Sequence, residues 1–163
     1  ASNHLSVADP PLIGCTSQRK TFFFAKEELF KVPFIGWGIT QLNAFPVRRS
    51  AHDVGAFRTA KHILENGQAL ALFPEGRRSR TGEMGPAKPG VGMLAVMANV
   101  PVVPVCIVNS NRLKQFAQLK IAYGPPIHAP QTGNPKEIYK SFSYEIIRAI
   151  ANMMSKMYND ANA

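Results

Sequence analysis

The sequence predicts an α/β fold, a single domain with a mostly parallel or mixed sheet flanked by helices. Three observations lead there. Short β-branched and aromatic runs alternate with segments whose apolar residues recur at helical spacing. Ala69–Phe73 and Val102–Val108 are largely apolar runs, the pattern of strands buried on both faces. And 163 residues, 45% hydrophobic and 18% charged, suffice for one core and are far from a disordered composition.

Asp9-Pro10-Pro11 is a helix-start signal, with aspartate as N-cap and proline at the first helical position, so a short helix runs to about Ser17. Thr21–Phe24 reads as a strand. Glu27–Leu42 is helical but interrupted around Pro33 and Gly36. Ala44–Val47 is a short strand entering Arg48-Arg49. Val54, Phe57, Lys61 and Leu64 mark a helix between Ser50 and Asn66, with Gly67 as its stop. After the strand at 69–73 comes a loop, Pro74–Pro89, then a helix over about Gly90–Ala98. Val91–Val108 nears the minimum length of a membrane span, but Asn99, Pro101 and Pro104 divide it into helix, turn and strand. Leu119–Tyr123 is a further strand. Pro135–Tyr158 is an amphipathic helix with Ile138, Phe142, Ile146, Ile147, Ile150 and Met154 on one side.

Nineteen Lys and Arg against ten Asp and Glu give a formal charge of +9, which calls for an anionic partner: nucleic acid, an acidic membrane or a phosphorylated substrate. Cys15 and Cys106 make no disulfide framework and fit a reducing compartment, Cys106 as an inert core thiol. The chain opens on a polar motif, where a functional histidine would be poorly anchored. The expectation is a longer protein whose N-terminal region, with any membrane anchor, precedes Ala1.

Two polar clusters stand out. His4 and Asp9 are five residues apart, too far for one face of a helix. Around a turn, however, the carboxylate can fold back onto the imidazole, fix its tautomer and stabilise the imidazolium. Such a pair can take a proton from an alcohol. The second cluster, Phe73–Arg80, is a glycine-containing turn whose Arg77, Arg78 and Arg80, with Lys88, gather where a strand ends. Arg48-Arg49 is a second basic pair at a strand end. Base and anion site together suit group transfer to a hydroxyl of a phosphorylated molecule. Taken singly, each also reads as ordinary: a loop histidine beside an N-cap aspartate, and a solvated basic loop.

Other classes fit less well. His52, His62 and His128 lack metal-ligand spacing, so no metal is expected. Ser6 lacks a nucleophile elbow, and the Pro74–Pro89 loop is not a P-loop. The basic residues are not interleaved with exposed-looking aromatics, which argues against single-stranded nucleic acid.

Asn3-His4-x-x-x-x-Asp9, Phe45-Pro46-Val47-Arg48-Arg49, Phe73-Pro74-Glu75-Gly76-Arg77-Arg78-Ser79 and Val100-Pro101-Val102-Val103-Pro104 resemble, in order, the four motif blocks of the glycerolipid acyltransferases, in particular the 1-acyl-sn-glycerol-3-phosphate acyltransferase type. The resemblance runs from Asn3 to about Ile127. It implies a glycerol-3-phosphate acyltransferase-like fold and direct transfer of a fatty acyl group from acyl-CoA or acyl-carrier protein to a glycerol hydroxyl, with no cofactor. On 1-acyl-sn-glycerol 3-phosphate the product is phosphatidic acid. Carried over, His4 is the general base and Asp9 its orienting partner. Arg49 is associated with the acceptor phosphate, Glu75 and Gly76 with acceptor binding, and Arg78 is the third-block arginine. Arg48 and Lys88 add to the basic pocket, and Pro104 shapes its strand. Arg77 stands where threonine is frequent and Asn43 where glycine is, which loosens the identity of the acceptor. The resemblance also implies a membrane-associated enzyme on the cytoplasmic face. Phe22, Phe23, Phe24, Phe30, Phe34 and Trp37 could supply an apolar surface, though core is expected for most of them. The alternatives are another glycerol- or lysolipid acceptor, or a non-catalytic binder of anionic lipid.

Overall fold

Three parallel strands form where the sequence places short β-branched and aromatic runs. A computed structural model describes residues 1–48, 53–79 and 81–159. They fall into two units, residues 10–72 and residues 1–9 with those from 73 onward.

In the first unit, α1 (Asp9–Thr16), whose first residue belongs to the other unit, leads to β1 (Thr21–Lys26), then α2 (Glu27–Phe30), α3 (Ile35–Gln41), β2 (Ala44–Val47), α4 (Val54–Glu65) and β3 (Ala69–Ala71). The strand order is β2-β1-β3, all parallel, with Phe23 opposite Ala44 and Thr21 opposite Ala69. Parallel neighbours need crossovers, supplied by α2–α3 and by α4. Successive phenylalanines of β1 point to opposite faces. Phe23 is buried beneath Gly14 of α1, while Phe24 lies against Phe45 and, 6.4 Å away, Phe57 of α4. Helices therefore cover both faces.

Helix α4 buries Ala56, Ala60 and Ile63, a stripe at four- and three-residue steps. Asp53 caps it, accepting from the Ala56 amide at 2.9 Å, and Gly67 takes a φ of 69° just beyond its end. Asn43, at the position where the second block often has glycine, takes a φ of 58°, which asparagine tolerates better than most side chains. β3 is shorter than the expected 69–73. Its Ala69 and Leu70 are only half-buried, and the Phe73 carbonyl already serves a turn by accepting from the Gly76 amide.

In the second unit, α5 (Gly90–Ala98) is followed by β4 (Val105–Val108), a 3-10 helix (Ser110–Gln115), β5 (Lys120–Tyr123) and α6 (Pro135–Asn159). β4 and β5 are antiparallel, with Val105 opposite Tyr123, and Ser2 adds a parallel bridge to Val105. Every residue of β4 is buried. The expected strand from Val102 starts late because Pro104 has no amide to donate, though Val102 still bridges Ile127. Burial pushes the Cys106 thiol of β4 up to about 11, as befits an inert core thiol. The α/β class, with both parallel and antiparallel pairs, is as the sequence predicts. Among the described residues no helix is long and apolar enough to cross a membrane.

Helices α5 and α6 cross very closely. The Gly92 amide donates to Ser143 Oγ at 2.9 Å, and a Cβ on Gly92 would lie 2.3 Å from the Tyr139 carbonyl oxygen. Phe142, Ile146 and Ile150 of α6 are fully buried around this contact. Gly92→Ala should force the helices apart and cost about 1–3 kcal/mol of stability. Urea unfolding should show a lower midpoint for this variant with an unchanged slope.

Candidate active site

The segment bearing His4 is anchored by its neighbours. Asn3 is buried, and its side chain pairs twice with the main chain of β4. Its Nδ2 donates to the Ile107 carbonyl, and its Oδ1 accepts from the Ile107 amide, both at 2.8 Å. His4 is then clamped through its own backbone. Its amide donates to Glu75 Oε1 at 3.0 Å, and its carbonyl accepts from the Ser79 amide at 2.7 Å. The expectation of a poorly anchored histidine fails because strand β4 and the Phe73–Ser79 loop hold both sides of it.

The imidazole is fixed in two further directions. Nδ1 lies 2.7 Å from Asp9 Oδ2, and the ring stacks on Phe73 with centroids 4.0 Å apart. The His4 side chain remains 12% exposed while that of Asp9 is fully buried. The turn predicted between the two residues is present: Asp9 Oδ2 also accepts from the amides of Leu5 and Ser6, each at 2.7 Å. The same carboxylate was expected to cap the following helix. It turns back instead: Pro10 and Pro11 offer no N–H, and the amides of Leu5 and Ser6 take the carboxylate.

Burial by itself would raise the Asp9 pKa. Contacts with the His4 ring, the nearby Ser110 hydroxyl and the amides of Ser6 and Leu5 outweigh it, so the group lies below its ordinary value. Ser110 is buried at the start of the 3-10 helix. Asp9 Oδ1 and Ser110 Oγ have no partner of good geometry, yet the hydroxyl is near enough to favour the charged carboxylate. An ionised carboxylate can only accept, so neutral His4 carries its proton on Nδ1 and leaves Nε2 as the free base.

Glu75, associated with acceptor binding by the motif resemblance, holds the backbone beside His4 in the structure. Its side chain is buried, with Oε1 taken by the His4 amide and Oε2 by the Gly85 amide at 2.8 Å. Gly76 turns the chain at a φ of 69°, a conformation other residues rarely adopt, and the Lys88 side chain lies across it. Arg77, Arg78 and Lys88 are exposed and form no ion pair with a described residue. One loop thus carries the buried clamp on His4 and an unneutralised basic rim.

Arg48, expected in the basic pocket, belongs to the 10–72 unit and is engaged by Glu27, with Nε–Oε2 at 2.7 Å and Nη2–Oε1 at 3.2 Å. The pairing holds the Glu27 carboxyl below its usual range. Arg49 and Arg80 lie outside the described residues, as does His52. Among the described residues no group of three or more His, Cys, Asp or Glu side chains could hold a metal ion. Sequence reasoning assigned no role to Asn3, Phe73, Ser79 or Ser110. The first three lie inside quoted motif blocks, whereas nothing local marks Ser110.

The Acyltransferase family model matches residues 1–108. A chloroplastic 1-acyl-sn-glycerol-3-phosphate acyltransferase of Brassica napus, BAT2, is 30% identical over 114 residues, covering 69% of this chain and 33% of its own. The Bacillus subtilis enzyme of that name is 31% identical over 109 residues, covering 65% and 54%. The chain therefore spans between a third and about half of these relatives. The crystal structure of the 1-acyl-sn-glycerophosphate (LPA) acyltransferase PlsC from Thermotoga maritima superposes with a TM-score of 0.72 at 30% identity, covering 94% of this chain and 64% of that one. With four ordered motif blocks, the family match and this fold, the chain belongs to the acyltransferase family.

Proposed function

We propose that this chain moves a fatty acyl group from an acyl thioester to the free hydroxyl of 1-acyl-sn-glycerol 3-phosphate, giving phosphatidic acid. The observation that carries the reading is the 2.7 Å contact between His4 Nδ1 and the buried Asp9 carboxylate. It leaves Nε2 to take the acceptor's hydroxyl proton as the oxygen attacks the thioester carbonyl. The new C–O bond replaces the C–S bond, and the departing thiolate takes the proton back from the imidazolium. Asp9 stabilises the imidazolium meanwhile, and no cofactor enters the step.

The acceptor phosphate is assigned to Arg78 and Lys88 on the exposed rim, and to Arg49 on the motif resemblance. Gripping a phosphate remote from the reacting hydroxyl orients the hydroxyl and contributes to the rate. The thioester is carried by coenzyme A or acyl-carrier protein. The site of action is a membrane surface, because acceptor and product are lipids, on the reducing cytoplasmic side that suits Cys15 and Cys106 as free thiols.

Replacing the base is the direct test. His4→Ala should lower kcat by roughly 10²–10⁴-fold while circular dichroism stays native. A folded variant of near-normal activity would remove the proposed base. Product analysis with acyl-CoA and acyl-carrier protein, each offered lysophosphatidic acid, glycerol 3-phosphate and other lysolipids, identifies donor and acceptor.

The rim has a separate signature. Combining Arg78→Ala with Lys88→Ala should raise KM for the phosphorylated acceptor about tenfold or more and leave KM for the thioester nearly unchanged. Arg49→Ala is expected to act in the same direction.

Asp9 gives a pH prediction. A carboxylate whose folded pKa is depressed contributes stability above its ordinary pKa, 3.8, and loses it as pH falls toward the lower folded value. Asp9→Asn should therefore be less stable than the parent near neutrality, and the difference should shrink on acidification below about pH 4. Unfolding midpoints measured across pH 2–7 check the sign. A constant difference over that range would mean that the charge of Asp9 plays no part.

A further inference from the structure

Helix α3 has the composition of a buried helix in a place where nothing described buries it. Its sequence, Ile35-Gly36-Trp37-Gly38-Ile39-Thr40-Gln41, holds no charged residue, and of these seven only Gly36 is buried. The preceding turn continues the surface. Phe34 is 88% exposed and Trp37 71%, with Val32, Ile35, Leu29 and Leu42 also open. Of the six aromatic side chains expected to be mostly core, Phe23 is buried and three more are half-buried, but these two are not. Scattered exposed apolar residues are ordinary; six on one short helical hairpin are not.

The backbone there is also unusual. Phe34 has φ 57° and ψ −49°, with the Ile35 amide donating to the Pro33 carbonyl across it. This is a γ-turn of the strained, positive-φ kind, which a bulky residue rarely adopts. The strain is built in by the close turn from α2 to α3, where a Cβ on Gly36 would lie 2.6 Å from the Phe30 carbonyl oxygen. The result is a benzyl group held out into solvent at the tip of the hairpin. Strain retained at an exposed apolar tip marks a site with a task.

We infer that the Leu29–Leu42 hairpin is a docking surface for a lipid bilayer, with Phe34 as the inserted tip and Trp37 at the interface. Three features select a bilayer over a protein partner. The exposed apolar side chains of Phe34, Ile35 and Trp37 project from neighbouring positions at the tip rather than from a single helical stripe, so they suit a medium that surrounds the tip better than a groove that takes one face. Tryptophan is a side chain favoured at membrane interfaces. Residues 31–43 contain no acidic side chain and carry the exposed Lys31; of the two acids in the first turn of α2, Glu27 is paired with Arg48 and Glu28 lies before the hairpin, so the tip itself meets anionic headgroups without a carboxylate. The choice also rests on the proposed reaction, whose acceptor resides in a membrane.

The chain holds a single tryptophan, so Trp37 reports on the surface directly. Its emission is followed while vesicles of phosphatidylcholine with phosphatidylglycerol are added to the whole chain. The expected result is solvent-exposed emission, quenched by iodide, that moves to the blue and becomes shielded on vesicle addition. Partition should be weaker for pure phosphatidylcholine. Phe34→Gly, which frees the γ-turn of its strain, should weaken partition roughly tenfold or more with no loss in the unfolding midpoint. Unchanged emission on vesicle addition would overturn the inference, as would unchanged partition by Phe34→Gly. So would emission already blue and shielded before lipid is added, because another segment or a second copy would then cover the hairpin. Partition is scored without turnover. Inert protein that still binds vesicles removes the proposed reaction alone, and active protein that does not bind removes the docking surface alone.

Discussion

A charge buried without water has to be held by donors, and that requirement organises the candidate site. The desolvation of the Asp9 carboxylate would cost on the order of several kcal/mol if uncompensated. Three donors converge on its Oδ2: the His4 ring and the amides of Leu5 and Ser6, all at 2.7 Å. Charge-assisted hydrogen bonds are the strong kind, and the balance favours the ionised form. The turn between His4 and Asp9 therefore exists because the carboxylate needs those amides. The imidazole takes its orientation from the same arrangement.

Glu75 repeats the device one layer further out. Each of its buried oxygens accepts from one main-chain amide, so the acid ties the His4 backbone to that of Gly85. Its two neighbours on the loop do the opposite. Arg77 and Arg78 are exposed, and they share a turn that Gly76 makes possible with positive φ. A short motif with one acid among several bases thus divides them by depth: the acid serves the histidine, and Arg77 and Arg78 face outward. Positioning and anion attraction come from one loop, and the same substitution can disturb both.

The elements were legible wherever local chemistry decides them. Ala44–Val47, Gly90–Ala98 and the long C-terminal helix lie where their patterns predict, because Pro, Gly and Asn at their ends act within a few residues. The fold-back of Asp9 was legible for the same reason. The inward turn of Glu75 is not legible in the sequence, because only the tertiary approach of the His4 amide reveals it. Arg48 was read as part of a basic pocket, yet Glu27 at the end of the neighbouring strand neutralises it, a pairing set by the β1–β2 register. Ser110 carries no local signal at all. It matters because the end of β4 delivers it to a carboxylate far away in sequence.

Two helices show where pattern reading stops. Gly90–Ala98 and Ile35–Gln41 are both apolar, lack charge and contain two glycines each, so composition assigns both to a core. What separates them is the neighbour that each glycine admits. Gly92 gives its space to the backbone of α6, a second helix twenty-five residues long, and α5 is buried by that approach. Gly36 gives its space to the Phe30 carbonyl of its own hairpin, so the close contact is spent on the turn and the outer surface stays uncovered. A glycine in an apolar helix announces a close approach without naming the partner. When the partner is local, the remaining apolar surface has to be matched by something outside the fold.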